Sequence, residues 1–205
     1  MTMLRKTRKS WAIALAGATI VLTTVTTGTA DAEPVSLKVK YLCSFPLIGA
    51  QPVTVEIKSD LPKSIKVGES SPEVQISTLS TVGAASTAGL NLVGARTLEG
   101  TATASTDVVA PQGTLPVQVP VSLTKTQIPP AGEFSIPAAG SAPGLTFTRA
   151  GTAKVTVGKL TMRLTPRNAS GGTTVLGTFT SKCSLRPDDQ DNVLATIEIL
   201  GSANS

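Results

Sequence analysis

The chain has 205 residues, 18 Lys and Arg against 13 Asp and Glu, two cysteines and no histidine. Without histidine, Ser-His-Asp and Cys-His catalytic sets are excluded, as are His-ligated zinc, copper and haem. Aromatic residues make up 3% of the chain and no basic cluster occurs, so nucleic-acid binding has no support.

Residues 1–32 read as a secretory signal peptide. Arg5, Lys6, Arg8 and Lys9 precede an apolar run from Trp11 to Leu22, and the small-residue triplet Ala30-Asp31-Ala32 follows. The run is about half the roughly 20 residues that a membrane span needs. Cleavage after Ala32 is expected, leaving 33–205 as a single secreted, extracellular domain. Four of the basic residues and one of the acidic ones lie in the leader, so the exported part is nearly neutral. No later stretch is long and apolar enough to span a bilayer.

Strand signals dominate the remainder. From Val35 to Phe45 the odd positions are apolar, which predicts a strand with one buried face. Val53 to Ile57 repeats the pattern, and Leu61-Pro62 and Val67-Gly68 turn the chain. The segment Ile76 to Val93 is rich in Ala, Ser, Thr and Gly. Leu79, Val82, Leu90 and Val93 suit a short helical face, although Gly83 and Gly89 each weaken it by about 1 kcal/mol; a helical turn or irregular crossover is expected. Thr97 to Val109 reads as a strand. Leu115 to Leu123 alternates most clearly, with Pro116 and Pro120 on its polar face, which predicts an edge strand. A Pro/Gly/Ala-rich loop follows over 128–144. In Ala153 to Val157 the apolar phase is odd; in Leu160 to Leu164 it is even. One extra residue at Gly158 predicts a β-bulge. Phe179 to Leu185 and Val193 to Ile199 are the last strands.

Cys43 and Cys183 can pair in only one way, and export favours a disulfide. Both lie in the inward phase of strands near opposite ends of the chain. The expected fold is therefore all-β, an Ig-like or Greek-key β-sandwich with one inter-sheet disulfide. Beyond residue 32 the aromatics are Tyr41, Phe45, Phe134, Phe147 and Phe179, few for such a core.

Chemical motifs are sparse. There is no G-x-S-x-G elbow, P-loop or G-x-G-x-x-G, so no catalytic residue and no cofactor is assigned. Ser122 and Lys125 match S-x-x-K, but on a proline-punctuated strand rather than a helix. Glu56, Glu99, Glu133 and Glu198 are glycosidase carboxylates by type only, and Glu56 and Glu198 fall on outward phases. Asp188, Asp189 and Asp191 form an acidic loop that offers the one metal candidate, calcium, against the simpler reading of a solvated turn.

The run Tyr41-Leu-Cys43-Ser-Phe45-Pro46-Leu-Ile-Gly49, with Val157-Gly158-Lys-Leu160 and Cys183 further on, resembles a family of secreted actinobacterial proteins whose domain has no known function. The resemblance extends over nearly all of the exported part. It implies a secreted, disulfide-linked domain and brings no catalytic residues. Some similar chains carry the label cholesterol esterase, which implies a lipid-ester hydrolase. The expectation is a non-catalytic extracellular domain for adhesion, envelope association or partner binding, its ligand undefined. The alternative is a secreted esterase for sterol or lipid esters with an unconventional nucleophile.

Overall fold

Alternating apolar residues have one job in a strand: they put every second side chain on the same face. The computed structural model describes residues 32–201, and there the alternation builds ten strands and one helix. They are β1 (Ala32–Phe45), β2 (Gly49–Pro62), β3 (Ser64–Lys66), β4 (Val74–Val82), α1 (Ala84–Leu92), β5 (Thr97–Ala110), β6 (Gly113–Gln127), β7 (Phe134–Ala142), β8 (Gly151–Arg167), β9 (Phe179–Leu185) and β10 (Val193–Leu200). The predicted signal peptide lies outside the described residues, apart from Ala32.

The expected sandwich is replaced by a barrel. Neighbouring strands run β8-β5-β6-β7-β4-β2-β1-β9, and β9 pairs again with β8, closing a ring of eight. Closure rests on β9, the shortest strand of the ring. It pairs with β1 over Tyr41–Cys43 and with β8 over Leu160–Leu164. Period-two patterning cannot separate these architectures. The apolar faces of two facing sheets and of one sheet rolled on itself carry the same alternation.

The bulge expected at Gly158 is present and has a topological role. Ala104 on β5 faces Leu160, while Thr106 faces Val157, so one residue opposes two. The inward phase of β8 accordingly passes from Ala153, Val155 and Val157 to Leu160, Met162 and Leu164. On its far edge β8 pairs with β10 before the bulge, from Gly151 to Thr156, and with β9 after it. The bulge is the point where one long strand changes partner. β10 in turn carries β3, parallel to it, outside the ring.

The disulfide joins Cys43 and Cys183, as expected, but not across two sheets. The two residues are directly opposite on adjacent antiparallel strands, with Cα atoms 4.0 Å apart. It is a cross-strand bridge on the seam that closes the barrel.

Three further segments differ from expectation. β6 is inside the ring, not at an edge. It pairs with β5 along its length but with β7 only from Val121 to Leu123, so the stretch bearing Pro116 and Pro120 has a single partner and the missing N–H groups cost no ladder bond on the other side. The anticipated loop over 128–144 contains β7 from Phe134 onward. The anticipated crossover over 76–93 is half strand and half helix: β4 ends at Val82 and α1 begins at Ala84. The inward positions of β4 are Val74, Ile76, Thr78, Ser80 and Val82, so two hydroxyl residues interrupt the apolar phase and hide the strand.

The barrel has two distinct ends. One, the mouth, carries the turn 46–48, α1 and the loop 168–178. The other is closed by the segment 143–150, whose Phe147 is fully buried and whose carbonyl accepts from the Gly68 N–H at 2.9 Å.

Candidate functional site: the barrel interior

An eight-stranded ring is just wide enough for inward side chains to fill it, or to leave room for one small ligand. Side-chain size decides which. Here the inward positions of three strands are small: Gly100, Ala102 and Ala104 on β5, Ala138 and Gly140 on β7, Thr78 and Ser80 on β4. The phenylalanines stand toward the ends, Phe45 and Phe179 in the cavity wall near the mouth, Phe134 at the mouth and Phe147 in the closed end, with Tyr41 in the wall between. The scarcity of aromatics noted in the sequence thus appears as empty space.

That space is a cavity of about 100 Å³ on the mouth side, bounded by all eight ring strands, α1 and the turn 46–48. A second cavity of about 80 Å³ lies toward the closed end. Ile76, Thr106, Val119 and Leu194 belong to both walls and stand between them. The walls hold no Lys, Arg, Asp or Glu. An apolar cavity of about 150 Å³ holds one benzene, so the mouth-side cavity has room for about four to six carbon-sized groups.

Polar groups in this wall are few. Tyr41 is buried, and its hydroxyl donates to the carbonyl of Gly158 at 2.9 Å. Burial pushes its phenol far above the ordinary tyrosine range. Thr78, Ser80 and Thr106 are half-buried. Ser86, in the first turn of α1, is 5% exposed and its hydroxyl has no hydrogen-bond partner. Around the mouth, three large apolar side chains stand in solvent: Leu47 at 70% exposure, Leu92 at 83% and Val175 at 90%.

The residues singled out in the sequence lie outside the lumen. Asp188 pairs with Arg186, and Asp191 accepts from the Val193 N–H at 3.0 Å. Among the described residues no group of three or more His, Cys, Asp or Glu is placed to hold a metal ion. The working residue of the acidic loop is Gln190, whose amide accepts from the Lys40 N–H and donates to the Lys40 carbonyl, each at 2.8 Å. The side chain continues the β1 ladder beyond the end of β9. Ser122 and Lys125 are both exposed on β6, on either side of a register shift that sets Thr124 and Lys125 against Glu99, and neither lines the lumen. Glu56 is tied to Lys58 at 2.7 Å, whose ammonium holds the carboxyl below its usual range, and Glu99 to Arg167 at 2.6 Å. Glu133 and Glu198 are exposed. Sequence reasoning missed the lumen residues because its signal is a set of small inward side chains on strands far apart in the chain.

Fold and interior together define a closed β-barrel with a hollow, uncharged core. Residues 40–195 match the profile of a family described as a family of unknown function (DUF6801), and the chain belongs to that family. No curated protein and no solved structure matches the chain.

Proposed function

We propose that this protein is a secreted binding domain that holds one small apolar molecule inside its barrel. The observation that carries the reading is the uncharged hollow bounded by all eight ring strands. Filling such a space with methylene groups gains about 0.8 kcal/mol for each one removed from water. A cavity that stayed empty would cost stability in proportion to its volume. The exposed Leu47, Leu92 and Val175 give the mouth an apolar rim suited to a poorly soluble ligand. The leader read over residues 1–32 supports an activity outside the cell. Ester hydrolysis is the less favoured reading, because the Ser86 hydroxyl has no partner that could take its proton.

The test is calorimetric titration of the purified, disulfide-bonded protein with pentane and butanol, beside an Ala104→Leu variant. Ala104 lines the mouth-side cavity, and the larger side chain fills it. Saturable binding by the parent, lost in the variant while melting is unchanged or raised, is the expected result. No binding of either molecule by well-folded parent protein would overturn the proposal.

A further inference from the structure

Resting on the reading of the lumen as a binding site, we propose that Ser86 is the head-group anchor of the site, and that the ligand class is a neutral aliphatic molecule ending in one oxygen acceptor, an alcohol or an ester rather than an ionised acid. Three observations lead there. The Ser86 hydroxyl is buried without a hydrogen-bond partner, in a residue that forms part of the mouth-side wall. A hydroxyl left so is costly unless a partner arrives, and rotation about one side-chain bond is enough to re-aim it. Thr78, Ser80 and Thr106 also line that wall, but among its hydroxyls Ser86 is the one buried without a partner.

The second observation is charge. Neither cavity wall contains a cation. A carboxylate drawn into this space would lose its water and find no counter-ion, which disfavours fatty acids in their ionised form. The third is position. Ser86 lies in the first turn of α1 at the mouth, and the aliphatic walls run from there toward the closed end. The favourable end of the helix dipole thus stands beside the ligand oxygen, and the chain extends along the barrel axis.

The experiment compares pentane, butanol, methyl propanoate and butanoate on the disulfide-bonded protein, with Ser86→Ala and Thr81→Ala variants. Thr81 is an outward hydroxyl that meets Ser135 at 3.1 Å and serves as control. Butanol and methyl propanoate should bind about tenfold tighter than pentane, the worth of one hydrogen bond. Butanoate at neutral pH should bind more weakly than butanol. Ser86→Ala should bring butanol and the ester down to the affinity of pentane, leave pentane unchanged, and melt at the same or a higher temperature because an unpartnered hydroxyl has gone. The carbonyl stretch of bound methyl propanoate should lie lower in the parent than in Ser86→Ala. Thr81→Ala should keep the parental ranking. Equal binding of pentane and butanol by the parent, or a ranking untouched by Ser86→Ala, would overturn the assignment of Ser86 and leave the lumen reading standing. Failure of all four molecules to bind would overturn both.

Discussion

The hydroxyl of Tyr41 donates to the carbonyl oxygen of Gly158, 117 positions further along the chain, at 2.9 Å. The bond ties the strand that carries Cys43 to the bulge where β8 exchanges β10 for β9. A bulge leaves backbone groups without a ladder partner. The phenol supplies one, from a wall that is mostly apolar. Gly158 itself suits this place, since a Cβ there would meet the Ser105 carbonyl and hydroxyl at 3.0 Å.

Removing that hydroxyl should leave a buried carbonyl unpaired. Tyr41→Phe is expected to cost about 1–3 kcal/mol in urea unfolding, with little change in the slope. A cost below about 0.5 kcal/mol would show that the bulge carbonyl is satisfied some other way.

The same residue sets an alkaline limit. Burial raises the Tyr41 pKa in the folded state above its unfolded value of about 10. Its contribution is therefore intact below about pH 10 and is lost as pH rises from there toward the folded value. Tyr41 is the single tyrosine of the chain, so tyrosinate absorbance reports it alone. Tyrosinate should appear together with unfolding, and the difference in stability between parent and Tyr41→Phe should shrink above about pH 10. Tyrosinate that forms at an ordinary pKa in folded protein would contradict the burial.

Gly140 is the tight point of the β6–β7 seam. A Cβ there would fall 2.1 Å from the Pro120 carbonyl oxygen and 2.8 Å from the Val121 Cα, both backbone atoms that cannot step aside. Gly140→Ala should destabilise by about 3 kcal/mol or more. Gly172→Ala, whose Cβ would meet only the Asn168 side chain at 3.4 Å, should cost less than about 1 kcal/mol. Thermal melts of the two variants make the comparison, and equal costs would refute it.

Closure of the barrel depends on the disulfide. Only three residue pairs join β1 to β9, and Cys43 with Cys183 is one of them. The bridge spans 140 positions, for which loop-closure entropy gives about 4–5 kcal/mol. The double variant Cys43→Ala, Cys183→Ala should lose about that much. Its amide protection should fall first in β9 and the end of β1, as hydrogen exchange would reveal. Uniform loss across all strands would place the weak point elsewhere.

The acidic loop should behave as a structural turn. Gln190→Ala removes two bonds to the Lys40 backbone and should lower the melting temperature more than Asp189→Ala does. Excess calcium should leave the melting of the parent unchanged. A clear rise with calcium would restore the metal reading.

The sequence alone determined which side chains face inward, because strand geometry gives every second residue the same side regardless of what the strand later pairs with. That is why the phase change at Gly158, the inward placement of Cys43 and Cys183 and the outward placement of Pro116 and Pro120 were all legible. Strands escaped notice where inward residues are not apolar, as at Thr78 and Ser80 of β4, and where proline and glycine suggested a loop, as in β7. Tertiary structure alone decided that the sheet closes on itself, since closure turns on β9 meeting both β1 and β8, contacts between segments far apart in sequence. It also decided that the interior is hollow. No single strand encodes a cavity; it is the volume left when the small inward residues of β4, β5 and β7 come together within one ring.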